Sequence, residues 1–183
     1  MLAVHLLLVF CWSIANAQPP PNPGAFCAGV YADESRTLDC VNGLPGASFV
    51  LYLWAWVPPD TGLAYITLRF DLPANLDLTA RPTFHDQVTG VIIADYPDGT
   101  VEWTMLVVDC PTGWIRVFTQ ACVISDAEPA AITIIGQHSM MRDCEFVLND
   151  IEVLNALTVN DPDCEMTALE KATWGAVKRL WQK

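Results

Sequence analysis

The feature that most limits what this chain can fold into is a series of short apolar segments between residue 25 and Pro129. The segments are rich in Val, Ile, Thr and aromatic residues, and Pro, Gly, Asn or Asp interrupt them at intervals of about eight to twelve residues. β-Branched and aromatic residues favour strands, whereas the interrupting residues favour turns. None of these segments has helical periodicity. The pattern therefore predicts a domain built from strands.

Residues Ser48–Val57 predict a strand that is apolar on both faces. One face carries Phe49, Leu51, Leu53, Ala55 and Val57, and the other carries Val50, Tyr52, Trp54 and Trp56. Because the first row already supplies a core-facing side, the second row needs cover from elsewhere in the molecule or from a ligand. We predict a central strand and name Tyr52, Trp54 and Trp56 as a candidate ligand platform for sugar rings or a protein partner. Cover from within the chain is the commoner alternative.

The other strand signals place an antiparallel β-sandwich over residues 25–165. Residues 63–72 alternate between apolar and polar, which is typical of a sheet with one face in water. Residues 88–95 and 100–108 flank Tyr-Pro-Asp-Gly, a turn sequence that predicts a hairpin. Further strands are predicted at 114–120, 131–136, 144–149 and 151–159. The predicted fold class is an all-β sandwich with Greek-key connections, immunoglobulin-like or cohesin-like, and a closed barrel is the alternative.

The N-terminal residues have the pattern of an export signal. Residues 1–14 are mainly apolar, and Ala15, Asn16 and Ala17 give the small-x-small pattern that precedes signal-peptidase cleavage. We predict a signal peptide at 1–17 and a Pro-rich linker at 18–24. The mature protein would then be secreted or lie at the cell surface, in the periplasm or outside the cell. The apolar run is too short to cross a bilayer as a helix, so no transmembrane segment is expected.

An even number of cysteines accompanies this signal. Cys11 lies in the leader, and the mature chain keeps Cys27, Cys40, Cys110, Cys122, Cys144 and Cys164. In an oxidising compartment these six residues predict three disulfides, with the pairing left open. A zinc site is the weaker alternative, because no C-x-x-C pair occurs and neither His85 nor His138 lies at finger spacing from a cysteine.

The charge distribution divides the chain into two parts. Residues 1–165 contain twenty Asp and Glu against five Arg, which gives a formal charge of −15. Residues 166–183 contain three Lys and one Arg against Glu170, which gives +3 and brings the whole chain to −12. An acidic body argues against nucleic acid as a partner, because phosphate binding needs positive charge.

Residues 166–183 predict a short amphipathic helix. Its apolar arc includes Trp174, Val177 and Trp181, while Lys178 lies on the basic side. We name these four residues as a candidate docking helix that would lie on its own body, on a neighbouring copy or on an anionic membrane surface. Residues 173–181 resemble the closing Thr-Trp-Gly-x-Ile/Val-Lys-x-Leu-Tyr/Trp tail of uncharacterised exported bacterial β-sandwich proteins that contain cysteines. The resemblance implies a bacterial exported protein with a sorting or docking tail, and it implies no substrate or cofactor.

The sequence contains little that points to catalysis or to a resident cofactor. No motif of nucleophilic hydrolysis occurs, and a loop histidine beside an acid, as at His85, is more often a surface hydrogen-bonding pair than a general base. Calcium is the alternative to no cofactor, because hard cations bind carboxylate oxygens. The candidate ligands are Asp95 with Asp98, and Asp161 with Asp163. Asp in such turns more commonly serves turn geometry.

These observations lead to one main hypothesis and two alternatives. We predict an exported, non-catalytic β-sandwich module that binds a glycan or a protein at the cell surface or outside the cell. The first alternative is a self-assembling extracellular structural subunit that docks through its C-terminal helix. A secreted hydrolase is the least favoured of the three.

Overall fold

The structure is a computed structural model that describes residue 20 and residues 22–164. The predicted leader, part of the predicted linker and the predicted C-terminal helix lie outside these residues. The strands are β1 (Phe26–Tyr31), β2 (Cys40–Val41), β3 (Ser48–Val57), β4 (Tyr65–Asp71), β5 (Leu76–Leu78), β6 (Thr83–Phe84), β7 (Val88–Asp95), β8 (Thr100–Val107), β9 (Gly113–Ile124), β10 (Ala130–Ile134), β11 (Met140–Arg142), β12 (Leu148–Val153) and β13 (Leu157–Val159). One 3₁₀ helix, Gly136–His138, precedes β11. Within the described residues no helix is long and apolar enough to cross a membrane.

The strands form two sheets packed face to face. In the first sheet the order is β12, β1, β3 and β9, and both β5 and β6 pair with the far side of β9. In the second sheet β7, β8 and β4 are consecutive, and β10 and β11 both pair with the other side of β4. β12 also pairs with β11 and so joins the two sheets, while β13 and β2 extend from β10. The predicted all-β sandwich is confirmed, although two pairs, β1 with β12 and β2 with β13, are parallel.

The core fills the space between the sheets and follows the predicted alternation. On β3 the row from Leu51 to Val57 at every second residue is buried, and Phe49 at the strand start is partly buried. On β4 the facing residues Ile66, Leu68 and Phe70 are buried. An aromatic cluster stands at one edge of this core, with Trp103 and Phe118 ring centroids 4.2 Å apart. Offset aromatic pairs of this kind add to the apolar burial that holds the layers together.

Two predicted strands near the C-terminal end of the sandwich are wrong in their bounds. Most of residues 144–149 form a turn, because the Asp143 carboxylate accepts hydrogen bonds from the backbone N–H groups of Glu145 and Val147 at 3.0 and 2.9 Å. The predicted strand 151–159 is divided into β12 and β13. Between them the Asn155 side chain bonds both backbone groups of Val30 on β1, so a side chain replaces the backbone pairing there. The Asp143 turn is local, whereas the Asn155 bonds link residues 125 positions apart in sequence.

The prediction of three disulfides is also wrong. Cys40 bonds Cys164 and Cys110 bonds Cys144, whereas Cys27 and Cys122 are buried free thiols. Cys27 and Cys122 lie on strands separated by β3, about 10 Å apart across the sheet, and their register partners on β3, Trp56 and Phe49, are about 23 Å apart along the strand, so a disulfide between them is impossible. They also lie on opposite faces, since Cys122 belongs to the core and Cys27 is the register partner of Trp56 in the outward row.

Candidate binding surfaces

The aromatic row of β3 lies on the outer face of the first sheet, as predicted. Tyr52, Trp54 and Trp56 alternate with the buried core row, and each of the three is partly buried. β9 brings Trp114 beside this row as the register partner of Trp56, with the two rings edge to face at 5.6 Å. No role could be assigned to Trp114 from the sequence, because its place depends on the pairing of β3 with β9.

Other parts of the chain cover much of this row. The guanidinium of Arg36, from the loop between β1 and β2, lies 4.6 Å from the Trp54 ring centroid and 4.4 Å from that of Trp114. The indole N–H of Trp56 donates to the backbone oxygen of Pro23 at 2.9 Å. Other parts of the chain therefore cover much of the Trp54 and Trp56 side chains, which is the alternative that the sequence raised. A platform role for the row stays a prediction.

The loop that carries Arg36 is built around one carboxylate. Asp33 accepts hydrogen bonds from the backbone N–H groups of Thr37 and Leu38 at 2.9 and 2.7 Å, and from the hydroxyls of Ser35 and Thr37. Burial of Asp33 acts to raise its pKa, but these hydrogen bonds together outweigh burial and lower the pKa below its ordinary value. Arg36 itself has a φ of 61°, in the left-handed region. The hydrogen bonds thus hold Arg36 in a conformation that is costly for a non-glycine residue.

An open groove of about 320 Å³ lies next to the Arg36 contact. Its lining residues are Glu34, Trp54, His85, Gln87, Pro111, Thr112, Trp114, Ile115 and Arg116. Arg116 and Glu34 form an ion pair across it. The Nδ1 atom of His85 accepts a 3.4 Å hydrogen bond from the backbone N–H of Gln87, which gives this histidine a structural contact. Tyr52 and Trp56, two of the three predicted platform residues, are not among the lining residues.

Two of the acidic residues named as calcium candidates, Asp98 and Asp161, serve their turns, and Asp95 is an exposed residue at the end of β7. The Asp98 carboxylate accepts hydrogen bonds from the Thr100 hydroxyl and N–H at 2.6 and 3.1 Å, and these bonds, with Arg69 nearby, lower its pKa. Asp161 accepts the N–H of Asp163 at 2.9 Å, a local turn contact. Among the residues that the structure describes, no group of three or more metal-ligating side chains occurs. Calcium binding stays an untested expectation.

The outer face of the second sheet is different, because large apolar side chains remain exposed on it. Ile92 on β7 is 69% exposed, and Leu106 on β8 and Leu148 on β12 are each 52% exposed. The strand registers place Leu106, Tyr65 of β4, Arg142 of β11 and Leu148, in that order, in one row across the sheet. Ile92 lies in the adjacent row, opposite Thr104. We call Tyr65, Ile92, Leu106 and Leu148 the second-sheet face.

A rigid polar cluster borders this face. Arg69 donates to the Thr100 hydroxyl at 2.7 Å and to the Asp98 carboxylate at 2.8 Å, and its guanidinium lies 4.0 Å from the Tyr96 ring centroid. The Tyr96 hydroxyl in turn contacts the Glu102 carboxylate at 3.2 Å. These side chains are fixed before any partner arrives, so they lose little freedom on binding. The sequence contains an indication of this surface, because Ile92 and Leu106 are apolar residues at outward positions of the predicted hairpin.

No protein-family model matches the sequence, and no curated protein matches it. Solved cohesin structures do share the fold. The cohesin module of a family 33 glycoside hydrolase from Clostridium perfringens has a TM-score of 0.59 at 14% identity, over 74% of this chain and 95% of that module. A non-cellulosomal cohesin from Archaeoglobus fulgidus has a TM-score of 0.56 at 9% identity, over 82% of this chain and 97% of its own.

A third structure, the type I cohesin–dockerin complex Coh-OlpA-Doc918 from Clostridium thermocellum, matches with a TM-score of 0.57 at 11% identity, over 74% of this chain and 97% of the matched chain. At these identities the likeness concerns the fold alone. The fold class is therefore a cohesin-like β-sandwich, one of the two kinds that the sequence predicted.

Proposed function

We propose that this chain is a non-catalytic module that binds a protein partner through the second-sheet face, at the cell surface or outside the cell. The observation that carries the proposal is the contrast between the two sheets. Much of the outer aromatic row of the first sheet is covered by the chain itself, whereas Ile92, Leu106 and Leu148 stay exposed together on the second. Exposed apolar residues grouped on one face of a folded domain are typical of a protein-binding surface.

The chemistry of the face indicates the kind of partner. An apolar centre beside a fixed Arg and Tyr matches the composition of interface cores and of energetically dominant interface residues. The outward rows carry Glu102 and Asp150 together with Arg69 and Arg142, while the chain as a whole is strongly acidic. We therefore expect a folded protein domain with an apolar patch surrounded by basic residues, because opposite charges speed association and align the partners.

The fold and the sequence also support a protein-binding module that acts at the cell surface or outside the cell. Cohesins with this fold occur in complexes with dockerins, so the sandwich is a scaffold that can present a protein-binding face. The predicted leader and the two disulfides agree with an exported protein, because such bonds persist in oxidising compartments.

The test is affinity capture with matched variants. The immobilised protein, Leu106→Glu and the control Val50→Glu are exposed to a cell-surface extract of the source cells, and captured proteins are identified by mass spectrometry. Val50 is 40% exposed on the outer face of the other sheet, so it matches Leu106 in being an exposed apolar strand residue. We expect a protein that the wild type and Val50→Glu retain and that Leu106→Glu loses by at least about tenfold in affinity. Equal capture by all three forms would place the partner elsewhere.

Self-assembly through the tail is the second proposal. It is supported by the opposite charges of the two parts of the chain, −15 for residues 1–165 and +3 for residues 166–183. In this proposal Trp174, Val177, Lys178 and Trp181 dock on the acidic body of a neighbouring copy, which would build head-to-tail assemblies. Light scattering of residues 18–183 against 18–165 tests it, and association of the longer form alone is the expected result. Monomers in both cases would contradict it.

A further inference from the structure

We propose that the groove beside Arg36 binds a neutral oligosaccharide. The groove lies beside the outer aromatic row of the first sheet and reaches Gln87, at the start of the β7–β8 hairpin. This inference does not depend on the proposed protein partner. Its volume of about 320 Å³ is near the lower end of the range typical of small-molecule sites. A site of this size suits a short segment of a chain of sugars that continues into solvent at both ends.

The aromatic part of the groove is held in place before a ligand arrives. Trp54 and Trp114 line it, and the guanidinium of Arg36 contacts both rings, at 4.6 and 4.4 Å from their centroids. Trp114 is also fixed by its edge contact with Trp56. Arg36 covers part of each ring, so a sugar would pack its apolar C–H surface on the parts of Trp54 and Trp114 that line the groove. Rigid aromatic side chains bind at a small entropic cost.

The polar part of the groove defines the charge of the ligand. Glu34 and Arg116 face each other as an ion pair, so neither presents an uncompensated charge to an incoming molecule. An anionic or cationic ligand would have to compete with this pair. A neutral ligand can instead use the spare hydrogen-bonding capacity of both side chains, because a carboxylate accepts several bonds and a guanidinium has five N–H donors.

Gln87 and Thr112 add groups that both donate and accept. A ligand that matches this set needs many groups that also do both, together with an apolar surface for the indoles. A sugar ring meets both requirements, because its hydroxyl groups donate and accept hydrogen bonds and its C–H faces are apolar. Hydrocarbon ligands would leave the polar side chains unpaired on binding, which is costly.

The experiment titrates the purified protein with maltotetraose, cellotetraose, xylotetraose, mannotetraose and tetra-N-acetylchitotetraose, each up to about 10 mM, the range in which weak single-site binding is detected. Binding is followed by tryptophan fluorescence and by the indole N–H signals in ¹⁵N NMR spectra. The variants are Gln87→Ala and Thr112→Val in the groove, and the control is Gln137→Ala, an exposed glutamine in the 3₁₀ helix. Gln87 bonds His85 and Val108 through its backbone, so substitution of its side chain preserves the loop.

We expect at least one saccharide to bind saturably and to shift the indole signals of Trp54 and Trp114. The affinity should fall about three- to tenfold in Gln87→Ala, because one hydrogen bond is lost, and stay at the wild-type value in Gln137→Ala. Failure of every saccharide to bind the folded wild type overturns the proposal. Binding that both groove variants leave unchanged overturns it as well, since the saccharide would then lie elsewhere.

Discussion

Replacing Arg36 is the most direct test of how the aromatic row is covered. Arg36→Ala removes the guanidinium from between Trp54 and Trp114 and keeps a side chain with a Cβ atom at a φ of 61°. Each cation–π contact contributes about 0.5–1 kcal/mol at an exposed site and more when desolvated. With two rings, we expect the free energy of unfolding to fall by about 1–2 kcal/mol. For a domain of this size that corresponds to a melting temperature lower by about 2–8 °C.

A second substitution at the same position separates the two contributions. Arg36→Gly also loses the cation–π contacts, but it removes the cost of the left-handed backbone, which is about 1 kcal/mol or more for a non-glycine residue. Glycine gains freedom in the unfolded chain, which offsets part of this relief. Arg36→Gly should therefore be more stable than Arg36→Ala by about 0.5 kcal/mol, while remaining less stable than the wild type.

The assay is urea unfolding followed by tryptophan fluorescence and by circular dichroism. Arg81→Ala is the control, because Arg81 is an exposed arginine in a loop of the same sheet and surface substitutions of this kind change stability by less than about 0.5 kcal/mol. Wild-type stability in Arg36→Ala would show that the cation–π contacts contribute nothing measurable. An Arg36→Gly variant less stable than Arg36→Ala would refute the backbone part of the reasoning.

Three further predictions concern the cysteines and one partly buried carboxylate, that of Asp33. Removing the Cys40–Cys164 disulfide, which spans 124 residues, should lower the free energy of unfolding by about 5 kcal/mol in the chain-entropy estimate. Removing the Cys110–Cys144 disulfide, which spans 34 residues, should lower it by about 4 kcal/mol. Urea unfolding measures both. The thiols of Cys27 and Cys122 should resist iodoacetamide at neutral pH until the protein unfolds. Burial raises the pKa of Cys27 to about 11, with a smaller contribution from Glu152, and raises the pKa of Cys122 to about 12. The pKa of Asp33 is lowered from 3.8 in the folded state, so its contribution to stability is present above that pH and is lost as the pH falls through the folded-state pKa. Asp33→Asn should therefore flatten the loss of stability below about pH 4 in acid titrations.

Parts of the fold with a strong local signal could be predicted from the sequence. The bounds of β3 agree with the prediction because ten residues alternate between two apolar rows and the flanking residues are turn formers. The hairpin of β7 and β8 agrees because Pro and Gly stand where the turn needs them, and Gly99 has a φ of 85°. In both cases the information lies within a short stretch of chain.

Most of the features that could not be predicted depend on contacts between distant parts of the chain. The turn after Asp143 is local, but it replaces a predicted strand because one carboxylate bonds two nearby backbone groups, which no alternation pattern reveals. The pairing of the cysteines depends on the order of the strands in each sheet, and only that order shows that Cys27 and Cys122 cannot meet. The position of Arg36 depends on β3 and β9 lying side by side.

The two proposed sites can be tested independently if the substitutions are chosen far apart. Leu106 is unsuitable, because Gln87 accepts a backbone hydrogen bond from Val108, two residues beyond Leu106 on the same hairpin. Leu148 of β12 is exposed on the second-sheet face, and β4 and β11 separate it from that hairpin. Distant substitutions that share no partner act additively. Leu148→Glu should therefore weaken the protein partner and leave saccharide affinity unchanged, while Gln87→Ala should do the reverse. A variant that weakened both ligands would mean that the two surfaces are coupled, or that the substitution destabilises the whole domain, and the melting temperature separates these two causes.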